Sequence, residues 1–107
     1  MAKQKEAIFR DRAMGILKKL PNTWFTRIEQ QTIRGTPDVL GCVNGAFVAL
    51  EFKSSQEANV TQLQILNLQN IDKSGGMAFV VYPENFNEVF QTIKDLSNGG
   101  NNAYTKI

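Results

Sequence analysis

Apolar side chains recur at two different periods along the chain, and together they predict alternating helices and strands. Spacings of three and four residues are typical of amphipathic helices, whereas short apolar runs between turn residues are typical of strands. The helical spacing predicts three helices, over residues 3–20, 62–73 and 83–96. The short apolar runs predict four strands, over residues 24–29, 38–43, 46–53 and 77–82.

The resulting order, α-β-β-β-α-β-α, indicates an α/β fold in which helices cover both faces of a central β-sheet. A chain of 107 residues has the length of one domain, and we predict a single domain over residues 1–96. The remaining stretch, residues 97–107, contains two glycines and three asparagines and is predicted to be a flexible tail.

Two of the predicted strands are joined by Asn44-Gly45, a pair that strongly indicates a two-residue type I′ hairpin turn. Such a turn fixes the register of its strands, so Asp38 is expected to lie directly opposite Glu51. Lys53 lies two residues past Glu51 and points from the same face. Because both faces of these strands are otherwise apolar, we expect both to be covered.

The opposed carboxylates have two interpretations. Like charges directly opposed on a sheet are destabilising, and partial burial raises the pKa of one member of the pair. A divalent cation between Asp38 and Glu51 removes both problems, which favours a metal site. In the alternative interpretation, Lys53 neutralises the pair in an ion-pair network at the end of the sheet.

Two further polar residues are also open to two interpretations. Glu6 falls on the core-facing stripe of the first helix, as a third carboxylate of a site would, but the helix dipole also favours an acid near a helix N-terminus. Gln64 stands three residues after Thr61 in a capping box, which accounts for it without any catalytic role.

Composition narrows the chemistry that the chain can perform. The sequence has no His and one Cys, Cys42, which excludes Ser-His-Asp and Cys-His nucleophilic catalysis, zinc sites with His ligands and an internal disulfide. Carboxylates, Lys, Arg, hydroxyls and amides remain. If the protein is an enzyme, the expected chemistry uses carboxylates, with or without a hard metal ion.

Charge is distributed unevenly along the chain. Residues 1–34 carry eight basic and three acidic side chains, whereas residues 35–107 carry four basic and seven acidic ones. This is compatible with an enzyme that binds a polyanion and holds a metal ion with carboxylates, and equally with a solvated basic face on the first helix. The chain shows no secretory signal or membrane-spanning run, and its free Cys predicts a reducing, intracellular location.

The motif Gly35-Thr36-Pro37-Asp38, followed thirteen residues later by Glu51-Phe52-Lys53, resembles the signature of the PD-(D/E)XK nuclease superfamily. The stretch Thr61-Gln62-Leu63-Gln64, with Gly75-Gly76 eleven residues after Gln64, is similar to the small stand-alone VRR-NUC branch, which is common in phage genomes. The resemblance runs from about Glu6 to Phe90. It implies a restriction-endonuclease-like core with a mixed sheet, and a metal-dependent DNA endonuclease.

The resemblance also implies roles for individual residues. Asp38 and Glu51 are expected to bind Mg²⁺ or Mn²⁺, with the backbone carbonyl of Phe52 as a further ligand. Lys53 is expected to orient or deprotonate the attacking water. Two further residues complete the expected site. Glu6 matches the acid of the first helix and is expected to be a further metal ligand. Gln64 matches the helix amide that closes the site.

DNA is the partner that the resemblance implies, including branched DNA such as Holliday junctions, and relatives of this size often act as homodimers. The basic N-terminal third is expected to contact DNA phosphates. The candidate contacts are Lys3, Lys5, Arg10, Arg34 and Thr36. No organic cofactor is expected. Two alternatives remain open: a catalytically silent DNA-binding module with the same fold, and an α/β interaction domain whose hairpin carries an ion pair.

Overall fold

A computed structural model describes residues 2–99 and contains seven helices and strands in the predicted order. The three helices are α1 Ala2–Leu17, α2 Gln62–Lys73 and α3 Phe86–Ser97. The four strands are β1 Thr23–Arg27, β2 Val39–Val43, β3 Ala46–Phe52 and β4 Met77–Val81. Residues 100–107 of the predicted tail lie outside the described residues.

The four strands form one mixed sheet in the order β1-β2-β3-β4. The first three are antiparallel neighbours, and β4 returns through α2 to pair with β3 in parallel. The connection through a helix is what a parallel pair requires, whereas a two-residue turn suffices for the hairpin. The predicted α/β fold with a flanked mixed sheet is confirmed.

The hydrophobic core lies between one face of the sheet and the helices α1 and α3. Alternate residues of the hairpin point into it, including Val39, Val48, Leu50 and Phe52, and they meet Leu17 of α1. Helix α2 contacts β3 and β4. Its residues Ile65 and Leu68 line a groove with Ala78 and Val80, on the opposite face of the sheet.

The hairpin has the predicted turn and register. Asn44 and Gly45 have φ values of 47° and 88°, as a type I′ turn requires at both central positions. Val43 pairs with Ala46, and the register continues to Val39 opposite Leu50. One step further along this register, Asp38 faces Glu51.

The prediction that both faces of the hairpin are covered is wrong for part of the sheet. Helix α2 lies over β3 and β4 and leaves the neighbouring side of the same face open. Trp24 and Phe47, which flank Cys42 in the register, are 64% and 46% exposed. An apolar sequence pattern on both faces therefore did not require burial on both.

Two helix boundaries differ from their predictions for local reasons. Helix α1 ends at Leu17, and the next residues close a turn in which the N–H of Leu20 donates to the carbonyl of Leu17. Helix α3 begins at Phe86 because the Asn85 side chain accepts from the N–H of Tyr82 and donates to the carbonyl of Val80, which holds the preceding residues in a turn.

Helix α3 also extends one residue beyond the predicted domain end. Ser97 is its last residue, and its side chain is buried. Its carbonyl accepts a hydrogen bond of 3.0 Å from the Asn22 side chain, which ties the end of α3 to the start of β1. In the part of the chain from residue 2 to residue 99, no helix has the length and apolar character needed to cross a bilayer.

Candidate active site

The hairpin ends at the residues expected to form the site. Asp38 immediately precedes β2, Glu51 is the penultimate residue of β3, and Lys53 follows that strand. The N–H of Phe52 donates to Oδ2 of Asp38 at 2.9 Å, and the N–H of Ile28 donates to the Asp38 carbonyl at 2.7 Å. Asp38 is therefore held from two sides, by the next strand through its side chain and by the preceding segment through its backbone.

Glu51 is the most buried charged group of the site, with 2% of its surface exposed. Its Oε2 atom accepts a hydrogen bond of 3.0 Å from Nε2 of Gln64 and lies 3.6 Å from Nζ of Lys53. Its Oε1 atom has no hydrogen-bond partner, which makes it the one buried side-chain polar atom in residues 2–99 without one. Burying an acceptor atom without a hydrogen bond is destabilising, so the position of Oε1 indicates where the site could accept an ion or a hydrogen-bond donor.

The surroundings of Glu51 favour its neutral form. Burial raises the pKa of its carboxyl group to about 8, and the nearby charge of Asp38 acts in the same direction, whereas the Lys53 ammonium lowers it. A proton on Glu51 also allows this carboxyl to share a hydrogen bond with Asp38, which adds to the rise in pKa. In the protein alone, the carboxyl group of Glu51 is thus expected to carry a proton near neutral pH.

Glu6 lies close enough to the site to exchange electrostatic influence with it. Partial burial raises the pKa of its carboxyl group, with the charge of Asp38 acting in the same direction and those of Lys53 and Arg10 against it. Its own charge contributes to the raised pKa of Glu51. Its place on the core-facing side of α1, which the spacing predicted, brings it toward the hairpin end.

Gln64 combines the two roles that the sequence left as alternatives. Its Oε1 accepts from the N–H of Thr61 and its own N–H donates to Oγ1 of Thr61, which completes the predicted capping box. The remaining amide nitrogen donates to Glu51. The cap fixes the Gln64 side chain, so the start of α2 holds a hydrogen-bond donor rigidly against the buried carboxylate.

The donor set fits a hard divalent cation of the Mg²⁺ type. The unpartnered Oε1 of Glu51 and the carboxylate of Asp38 would supply oxygen ligands to such an ion, and the Phe52 carbonyl lies between Glu51 and Lys53 in the chain. No three Asp, Glu, His or Cys side chains of residues 2–99 are grouped to hold a metal ion together, so Glu6 does not complete a three-carboxylate set. Two carboxylates still suit Mg²⁺, which usually keeps several waters.

The five residues expected to contact DNA occupy different environments. Lys3 and Lys5 are exposed on the first turns of α1, and Arg34 is exposed in the loop before Asp38. The hydroxyl of Thr36 donates to the Ile33 carbonyl at 2.5 Å and so shapes that loop. Arg10, in contrast, has an 11% exposed side chain beside Asp11.

One set of contacts that positions Asp38 was missed from the sequence. The loop that ends at Asp38 docks on α2, because Nδ2 of Asn67 donates to the Arg34 carbonyl at 3.0 Å. Gly35 has a φ of 80°, and a Cβ atom there would lie 2.7 Å from the backbone of Leu63. The glycine of the Gly-Thr-Pro-Asp motif was the available signal for this close approach.

Comparisons of the chain with protein-family models, with curated proteins and with solved structures each find no match. The resemblance to PD-(D/E)XK nucleases therefore stays a prediction based on the motif residues.

Proposed function

We propose that the protein is a Mg²⁺- or Mn²⁺-dependent DNA endonuclease that hydrolyses phosphodiester bonds. The observation that carries this proposal is the buried, unpartnered Oε1 of Glu51 beside the carboxylate of Asp38, next to Lys53. A buried carboxylate with one unpaired acceptor atom and a lysine at hand is an arrangement that serves metal-assisted phosphate chemistry. The resemblance to VRR-NUC nucleases supports the same function.

Each residue of the site has a role in this reaction. When bound, the divalent ion polarises the phosphate and lowers the pKa of its water. Asp38 is oriented by the Phe52 N–H and Glu51 by the Gln64 amide, so both carboxylates are pre-positioned. As an ammonium group, Lys53 would offset the developing negative charge on the phosphate and orient the attacking water. As a neutral amine, it would instead accept the proton of that water.

The proposal extends to the partner and the assembly. The basic residues of the N-terminal third supply a phosphate-binding surface, which predicts DNA binding that weakens as salt increases. A 107-residue chain accommodates one nuclease core, so we propose that a homodimer acts on extended or branched DNA such as Holliday junctions. The proposed setting is intracellular.

Cleavage of plasmid DNA and of a synthetic four-way junction, with Mg²⁺ or Mn²⁺, tests the proposal. Asp38→Asn and Lys53→Ala are expected to abolish cleavage, and Glu57→Gln is the matched control because it removes an exposed carboxylate from the neighbouring loop. Cleavage by the wild type that depends on the metal ion and is lost only in the first two variants supports the function. Equal cleavage by all four proteins overturns it.

The ion pair between Lys53 and Glu51 favours a second candidate, a DNA-binding module without catalytic turnover. In that case Lys53 serves only to offset the buried charge. This candidate predicts salt-dependent DNA binding that survives Asp38→Asn and Lys53→Ala, with no cleavage under either metal ion. The same set of proteins therefore separates the two functions.

A further inference from the structure

A small cavity lies between helix α1 and strand β1. Its volume is about 100 Å³, and its apolar walls come from Met14, Phe25 and Val39. A cavity needs about 10–15 Å³ to hold one water molecule, so this cavity has room for a chemical group of several heavy atoms. The polar residues of its lining determine which kind of group would bind there.

The polar lining carries a marked excess of positive charge. Arg10, Lys18 and Arg27 contribute three cations, and Asp11 is the one acid among the lining residues. Within residues 2–99, the only other acid paired with these cations is Glu29, which lies 3.9 Å from Arg27 with both side chains exposed. An exposed pair of this kind is weak, so the cavity presents a net positive charge to an incoming ligand.

Arg10 has more hydrogen-bonding capacity than Asp11 uses. A single oxygen, Oδ1 of Asp11, lies 3.3 Å from both Nε and Nη2 of Arg10. The Asp11 side chain is 72% exposed, whereas that of Arg10 is largely buried against the cavity. A guanidinium carries five N–H donors in a planar fork that matches a carboxylate or a phosphate. The donors not used by Asp11 are therefore available to an anion.

The free edge of the sheet leaves backbone N–H donors at two residues that also line the cavity. β1 is an edge strand, and the even-numbered residues on either side of it bond toward β2: the N–H of Asn44 donates to the Asn22 carbonyl, and the N–H of Ile28 donates to the Asp38 carbonyl. In an antiparallel pair, bonding alternates between residues, so the N–H groups of Phe25 and Arg27 point away from β2. Both residues line the cavity.

The cavity is close to the candidate active site along two elements of the chain. Arg10 follows Glu6 by one helical turn, a rise of about 6 Å along α1, and Val39 of the cavity wall directly follows Asp38. Because the phosphates of one DNA strand recur about every 3.4 Å along the helix axis, a strand that enters the active site carries further phosphates on either side of it.

We propose that this cavity binds a phosphate group of the cleaved DNA strand, near the phosphate that is hydrolysed. The contacts come from Arg10, Arg27 and the edge of β1. The proposal rests on the proposed function for the identity of the strand, but its binding chemistry is independent of cleavage. Guanidinium groups that line a small cavity, with backbone N–H donors on the adjacent strand edge, favour a phosphate oxygen over any neutral group. The cavity thereby sets the path of the strand across the site.

The test is DNA binding in EDTA, measured by fluorescence anisotropy with a short labelled duplex over a range of salt concentrations. Arg10→Ala and Arg27→Ala are expected to weaken binding about tenfold each, as the loss of a charge-assisted hydrogen bond predicts, and to reduce the salt slope by about 1. Lys94→Ala is the control, because Lys94 is an exposed cation on α3, outside both the basic N-terminal third and the cavity lining.

The source of the phosphate is resolved by three probes: a duplex with 5′-phosphate ends, the same duplex with 5′-hydroxyl ends, and closed circular plasmid as competitor. Equal binding of both duplexes and full competition by the plasmid assign the cavity to an internal phosphate. Preference for the 5′-phosphate duplex, lost in Arg27→Ala, assigns it to a terminal one. Either result supports a phosphate site.

Other outcomes separate this inference from the proposed function. If the wild type cleaves DNA but Arg10→Ala, Arg27→Ala and the control Lys94→Ala all bind DNA as tightly as the wild type, the cavity has no role and the proposed function stands. If the wild type never cleaves but binding falls selectively in the cavity variants, the cavity is supported and the nuclease fails. Arg10 is buried, so if Arg10→Ala does not fold, the exposed residues Arg27 and Lys18 decide the result.

Discussion

Replacing Glu51 with glutamine is expected to stabilise the protein while removing the function that we propose. The raised pKa means that the folded state holds the Glu51 proton more tightly than the unfolded chain does. Between the ordinary value of 4.5 and the folded value of about 8, the stability of the wild type therefore falls as pH rises. The glutamine of the Glu51→Gln variant has no proton to lose, and its amide nitrogen can donate to Asp38 permanently.

The size of the effect follows from the width of the pKa shift. Each pKa unit corresponds to about 1.4 kcal/mol, so the unfavourable contribution of Glu51 is about 3 kcal/mol at pH 7 and about 5 kcal/mol above pH 8. At pH 4.5 and below it vanishes. Relative to the wild type, Glu51→Gln is therefore expected to gain free energy of unfolding steadily from pH 5 to pH 8.

Urea unfolding in EDTA at pH 5, 7 and 8.5 measures this difference directly. Glu57→Gln removes an exposed carboxylate and serves as the control, with an expected difference that does not change with pH. Adding Mg²⁺ is expected to recover stability in the wild type at pH 7 and 8.5 but not in Glu51→Gln, because only the native carboxylates bind it. A gap between wild type and Glu51→Gln that is constant with pH, or that favours the wild type at pH 8.5, refutes the reasoning.

Three further predictions follow from named contacts. Gln64→Ala removes both part of the capping box of α2 and a hydrogen-bond donor to Glu51, so it should lower the free energy of unfolding in urea by about 1–3 kcal/mol. The control Gln69→Ala changes an exposed residue of the same helix and should leave that free energy nearly unchanged. Gly35→Ala combines a positive φ with a clash on Leu63, and should lower the thermal midpoint more than Gly75→Ala, whose φ of 96° meets open space. Sedimentation should give twice the 12.0 kDa chain mass, and a strict monomer contradicts the proposed homodimer.

The sequence predicted the fold well where one local signal controls the geometry. Asn44-Gly45 determines the hairpin turn, and the turn determines every opposed pair down to the site. The capping box likewise determined where α2 begins. The start of α3 was predicted wrongly because it depends on the Asn85 side chain, which hydrogen-bonds to the backbone at the end of the preceding strand. The spacing of apolar residues in the helix gives no sign of this contact.

The site was predictable in its members but not in its connections. The hairpin register brings Asp38 to Glu51, and the resemblance pointed to Lys53 and Gln64. The Gln64 amide accepts a hydrogen bond in the helix cap through its oxygen and donates one to Glu51 through its nitrogen. This double contact depends on how α2 packs across the sheet, which is tertiary structure that the local sequence does not show. The predicted burial of Phe47 was wrong for the same reason: the apolar pattern cannot show how far one helix reaches.

The balance of charge around Glu51 bears on the choice between a metal site and a structural ion pair. Lys53 is the one cation within ion-pair distance of Glu51 in residues 2–99, while Asp38 and Glu6 both act to raise the Glu51 pKa. If the Lys53 ammonium fully offset the effects of burial and of the Asp38 charge, the pKa of Glu51 would not rise to about 8. An apolar residue at position 51 would avoid the desolvation entirely, since burying an ion pair is seldom more stable than packing hydrophobic groups. A buried carboxyl group beside a second carboxylate, with one ammonium group to offset both, therefore favours the binding of a further cation over a purely structural role.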